Sequence, residues 1–98
     1  MAPATLTPPR TRRRQSTGSG LGRPWRVIVL NDDHNTFQGV AFALSSVLPG
    51  VSYEQGMRLA SRIHDTGQAI VWSGDKEQAE LYWAELDGFG LTMAPLEQ

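Results

Sequence analysis

The amino-acid sequence predicts an α+β fold of two layers, with three helices packed on one face of a small three-stranded sheet in the order β-α-α-β-α-β. Three observations carry the prediction. Short β-branched and aromatic runs at residues 25–30, 68–73 and 91–94 alternate with longer segments whose apolar residues recur every three or four positions. Each longer segment opens on a small polar residue followed three positions later by glutamine: Asn35 and Gln38, Ser52 and Gln55, Asp75 and Gln78. Each also closes on glycine.

Residues 1–23 contain Pro3, Pro8, Pro9, Gly18, Gly20, Gly22 and many Ser and Thr, with only scattered apolar residues. Such a segment buries too little surface to offset its ordering entropy, so a disordered basic tail is expected there, ahead of a domain at residues 24–98. Arg12-Arg13-Arg14 is a run that nucleic acid or an acidic protein surface can attract, but a solvated tail without its own partner is the preferred reading. Residues 18–22 superficially resemble a phosphate loop. They follow no strand and lack a Lys-Ser/Thr ending, so they read as linker. The tail is Arg-rich and acid-free like a transit peptide, yet its prolines interrupt any amphipathic helix and it has no apolar signal core.

Order begins at Trp25. Residues 25–30 (Trp-Arg-Val-Ile-Val-Leu) form a strand buried on at least one face. Phe37, Val40, Ala41, Leu44, Val47 and Leu48 then make one helical stripe, which Pro49-Gly50 stops. A second helix carries Met57, Ala60, Ile63 and His64 inward, and Gly67 closes it. Residues 68–73 form the second strand, ended by Gly74-Asp75. The third helix turns Ala79, Tyr82, Trp83 and Leu86 inward. Residues 91–94 form a last short strand, with Pro95 ending its ladder near a sheet edge.

Composition bounds the function. The 98 residues allow one small domain with a single modest core. The absence of cysteine removes disulfides and Cys-based metal sites, and it suits a reducing cytoplasm. No apolar run approaches the length of a membrane span. The net charge of −1 hides an asymmetry, since all ten acidic residues follow Leu30 and only four basic residues lie beyond Pro24, leaving that part at −6.

The chemistry concentrates in Asn31-Asp32-Asp33-His34-Asn35-Thr36-Phe37, where the chain turns from strand to helix. His64, in the last turn of the second helix, can be a core histidine bonded to a carbonyl. If both segments face one end of the sheet, Asn31, Asp33 and His64 instead converge beside Phe37 and Ile63. A polar rim next to an apolar hole fits a free α-amine followed by a large apolar side chain.

From Trp25 onward the chain resembles the ClpS adaptor family. The resemblance rests on the Val-Ile-Val-Leu strand running into Asn31-Asp32-Asp33, on Ile63-His64-x-x-Gly67-x-Ala69, and on an acidic third helix followed by a strand with Leu91. It implies a non-enzymatic N-degron adaptor that needs no cofactor or metal. Such an adaptor captures proteins beginning with Phe, Tyr, Trp or Leu and passes them to the N-domain of a Clp-type AAA+ unfoldase, of the ClpA or ClpC kind. By motif match, Asn31, Asp33 and His64 hold the α-amine, with Asp32 supporting the loop. Phe37, Val40, Ala60, Ile63 and Leu91 line the side-chain pocket. The acidic third helix, through Glu77, Glu80 and Tyr82, is the docking face for the unfoldase, and the N-terminal extension assists delivery; no nucleic acid or membrane is implied. Four residues depart from the family pattern: Asn35 where Thr is common, Phe37 and Ala60 where Met is frequent, and Tyr82 where some members carry Lys. The third helix and its following loop are also short. These differences bear on side-chain preference and partner identity.

Two other functions fit the residues. A metal held by Asp32, Asp33, His34 and His64 would activate water, although carboxylates adjacent in sequence tend to point apart and no nucleophile accompanies them. A plain interaction module would dock through Glu77, Glu80 and Glu85 and bind no degron; a solvated helix face explains the same acids.

Overall fold

The computed structural model describes residues 23–98, and its elements follow the expected order. They are β1 (Trp25–Leu30), α1 (Phe37–Val47), α2 (Tyr53–Thr66), β2 (Gln68–Gly74), α3 (Lys76–Gly88) and β3 (Thr92–Met93). The three helices pack on an antiparallel sheet of order β2-β1-β3. The expected basic tail lies, apart from Arg23, outside the described residues.

The helix starts are set locally. Ser52 accepts from the Gln55 amide while the Gln55 side chain accepts from the Ser52 amide, a reciprocal cap that satisfies two otherwise unpaired donors. Asp75 accepts from the amide of Gln78. At α1 the expectation is corrected: Thr36, not Asn35, is the cap, its hydroxyl accepting from the Gly39 amide at 2.9 Å. Both side chains can cap a helix, and Asn35 is drawn elsewhere by partners far along the chain, described below. At the other end of α2, Gly67 adopts φ 95°, a left-handed conformation that glycine takes without a Cβ penalty, and the chain turns directly into β2.

The core lies between sheet and helices. Val27 and Val29 of β1 meet Leu44 of α1, Ala60 and Ile63 of α2, and Leu86 of α3, all buried. Leu44 and Leu86 are fully enclosed, so truncating either to alanine is expected to cost about 2–5 kcal/mol. A register shift between Val27 and Ile28 leaves Val71 without a direct partner on β1. This bulge lets Ala69, Val71 and Trp72 all pack toward the core. Trp72 meets the Tyr82 ring edge-on at 4.9 Å, which fixes α3 against β2. The indole of Trp83 donates to the Ala94 carbonyl at 2.7 Å and ties α3 to the segment after β3.

Gly56 sets the distance between α1 and α2. A Cβ there would lie 2.8 Å from the carbonyl oxygen of Ala41 and 2.9 Å from its Cα, so the helices approach backbone to backbone. That approach brings the first turn of α1 beside the last turns of α2, where the candidate site forms.

Candidate functional site

The loop between β1 and α1 is held from three directions. The amide of Asn31 donates to the carbonyl of Gly67 at 2.9 Å, joining the end of β1 to the end of α2. Asp32 is the hub of the loop. Its Oδ1 accepts from the backbone amides of His34 at 3.1 Å and Asn35 at 2.8 Å, and its Oδ2 accepts from Asn35 Nδ2 and the Thr92 hydroxyl, both at 2.7 Å. Burial alone raises the Asp32 pKa, but the Thr92 hydroxyl, both Asn35 donors and the His34 amide outweigh it. They hold the carboxyl well below the usual carboxylate range. Asn35 Nδ2 also donates to the Gly90 carbonyl at 3.0 Å, so one amide bridges the loop to the turn before β3. Thr92 is reached only through the pairing of β3 with β1, which sets it opposite Leu30; no spacing in the sequence marks it.

Below this loop is a small open pocket of about 50 Å³. Its wall includes Asn31, Asp32, Phe37, Val40, Ala60, Ile63, His64 and Leu91, which two helices and two loops bring together. Asn35 and Thr92 also line it; Asn35 belongs to the polar stretch that the sequence marks, whereas Thr92 does not stand out there. The apolar floor is buried at Val40, Ala60, Ile63 and Leu91. The mouth is exposed, with Phe37 38% accessible and its ring meeting His64 edge-on at 5.3 Å.

His64 lies at the rim and not on the inner stripe of α2 as its spacing implies. Gly56, Ala60 and Ile63 set the inward direction of the helix, and His64 falls on its flank with 61% of the side chain exposed. Its Nδ1 is 3.4 Å from Asp65 Oδ1. Asp33 is exposed on the same loop, outside the pocket wall, and its carboxylate makes no hydrogen bond among the described residues. Among those residues, no three of His, Asp and Glu come together in a way that could hold a metal ion, so Asp32, Asp33, His34 and His64 do not assemble as a cluster.

The third helix divides the other candidate residues. Glu77 and Glu80 are exposed, whereas Tyr82 is half-buried against Trp72. No helix among the described residues is long and apolar enough to cross a membrane.

Comparison with known proteins gives the same family from three directions. The family model for the ATP-dependent Clp protease adaptor protein ClpS matches residues 22–94. The ClpS adapter protein of Synechocystis sp. is 47% identical over 95 residues, covering 97% of this chain and 94% of the relative. That of Thermosynechococcus vestitus is 53% identical over 73 residues, covering 74% and 78%. The solved structure of Agrobacterium tumefaciens ClpS2 bound to L-phenylalaninamide superposes with a TM-score of 0.66 at 27% identity, covering 76% of this chain and 96% of that one. Fold and sequence agree, and the chain belongs to the ClpS family of ATP-dependent Clp protease adaptors.

Proposed function

We propose that this adaptor captures cytoplasmic proteins whose N-terminal residue is Phe, Tyr, Trp or Leu, and delivers them to a Clp-type AAA+ unfoldase of the ClpA or ClpC kind. One observation carries the reading: a polar rim of Asn31 and His64, with the exposed Asp33 carboxylate on the same loop, adjoins an apolar floor of Val40, Ala60, Ile63 and Leu91. Asn31, Asp33 and His64 receive the α-amine, while Asp32, whose oxygens are already engaged, supports the loop. The Agrobacterium relative's ligand has a free α-amine followed by a benzyl side chain, which supports the same assignment here.

Magnitudes agree with a reversible adaptor. Charge-assisted hydrogen bonds contribute about 1.5–3 kcal/mol each and one buried apolar side chain about 1.5–3 kcal/mol. After ordering costs, the net is roughly −7 to −8 kcal/mol, near micromolar affinity. The pocket of about 50 Å³ is smaller than the roughly 150 Å³ cavity that takes benzene. A large side chain therefore enters with the mouth open, and Phe37 and His64 are the exposed side chains able to swing. Docking to the unfoldase uses the outer face of α3, with Glu77 and Glu80 making charged contacts and Tyr82 at the margin, and the segment 1–23 assists delivery.

The test is a fluorescence anisotropy titration with a labelled peptide beginning with Phe and its N-acetylated form. Acetylation removes the positive charge and leaves the rim partly desolvated, so affinity is expected to fall about tenfold or more. Equal binding of the two peptides would overturn the amine site.

A further inference from the structure

We infer that Thr92 and Asn35 are positioning residues that build the site by clamping the β1–α1 loop onto the strand at the far side of the pocket. The inference rests on the N-terminal-residue reading for its ligand but on geometry for its mechanism. Thr92 Oγ1 and Asn35 Nδ2 each donate to Asp32 Oδ2 at 2.7 Å. Asn35 Nδ2 spans onward to the Gly90 carbonyl, and the two backbone amides that follow Asp33 donate to Asp32 Oδ1.

This arrangement acts on both halves of the site. Asn31 and Asp33 flank Asp32 directly, so the carboxylate that Thr92 grips sets the path of the backbone carrying the polar rim. Leu91, whose side chain closes the apolar wall, lies between Gly90 and Thr92, the two residues the clamp holds. Rim and wall come from segments about 60 residues apart in sequence, and within the site side-chain bonds to Asp32 and Gly90 hold them in register. Loops tied only at their ends sample many conformations, and a binding constellation loses affinity when its supporting contacts are removed.

The hydroxyl of Thr92 is the separable part. Thr92→Val keeps the β-branched shape suited to a strand and removes only the donor, whereas Thr92→Ser restores it. Two readouts are needed: hydrogen exchange at the His34 and Asn35 amides, and affinity for the Phe-initiated peptide. In Thr92→Val both amides are expected to exchange about tenfold faster, and peptide affinity to fall about tenfold, with Thr92→Ser close to wild type in both. Faster exchange with affinity unchanged would overturn the positioning role, and unchanged exchange would overturn the clamp itself. A Thr92→Val loss that Thr92→Ser does not rescue would assign the effect to strand packing and overturn the inference. Wild-type protein that fails to bind the peptide would instead refute the N-terminal-residue reading, and the exchange measurement would still decide whether Thr92 holds the loop.

Discussion

Replacing Asp32 with Asn tests the hub of the site most directly. The substitution keeps the shape and one acceptor oxygen but turns the other oxygen into an NH2 group. If that group takes the Oδ2 position, it faces Thr92 Oγ1 and Asn35 Nδ2. The hydroxyl can rotate to accept, but the Asn35 amide nitrogen cannot. Four hydrogen bonds lose their charge assistance and at least one donor loses its acceptor. Because the carboxylate is only partly buried, the low end of the range for bonds to charged groups applies, about 2 kcal/mol in total. For a domain of this size that corresponds to a fall of about 10 °C in Tm at neutral pH. The pH dependence adds a sign. The folded Asp32 holds its proton less tightly than the unfolded one, so its stabilisation is complete above the unfolded pKa near 4 and is lost as pH falls toward the lower folded value. Thermal unfolding by circular dichroism from pH 7 to pH 2.5 should therefore show a constant gap between wild type and Asp32→Asn down to about pH 4, then convergence. A gap that is absent at pH 7, or that stays constant into the acid range, would refute the hub assignment.

Further outcomes follow from the packing. Phe37 stands at the mouth where Val and Ile would place a branching methyl, so Phe37→Ala should raise affinity for Ile-initiated relative to Leu-initiated peptides, by up to about 1–3 kcal/mol of relieved overpacking. An unchanged ratio would make Phe37 a packing residue only. Ala60→Met fills the buried floor and should penalise Trp-initiated peptides more than Leu-initiated ones; equal losses in the same titration would contradict it. Gly56→Ala gains about 1 kcal/mol of helix propensity but forces α2 away from the Ala41 backbone at a cost of about 1–3 kcal/mol. A net loss of about 1 kcal/mol, or about 4–8 °C in Tm, is expected, and an unchanged or raised Tm would show that the helices yield freely. Deleting residues 1–20 should leave peptide affinity unchanged and slow degradation of a Phe-initiated reporter by the unfoldase and its peptidase; degradation at the full rate would remove the tail from delivery.

What the sequence determined by itself was whatever depends on near neighbours. Apolar spacing and end signals identify the six elements, because a helix start or a strand face is decided within three or four residues; the Ser52–Gln55 box and the Asp75 cap are cases where local chemistry has no competitor. The burial of Val40, Ala60 and Ile63 was legible for the same reason, since they lie on the inward stripes of their helices, whereas their place together in one pocket was implied only by the family resemblance. Tertiary structure alone decided which of several permitted bonds a polar side chain makes. Asn35 has the chemistry of a cap, yet Asp32 Oδ2 and the Gly90 carbonyl are placed to bind its amide, and the cap passes to Thr36. His64 has inward spacing, but the close contact at Gly56 and the packing of Ile63 rotate α2 so that the imidazole stands at the rim. Thr92 carries no local signal, because its role exists only once β3 pairs with β1 and sets a hydroxyl beside a carboxylate 60 residues away. Hydrophobic periodicity is a property of a segment, whereas a hydrogen bond belongs to two groups, and the fold chooses the second.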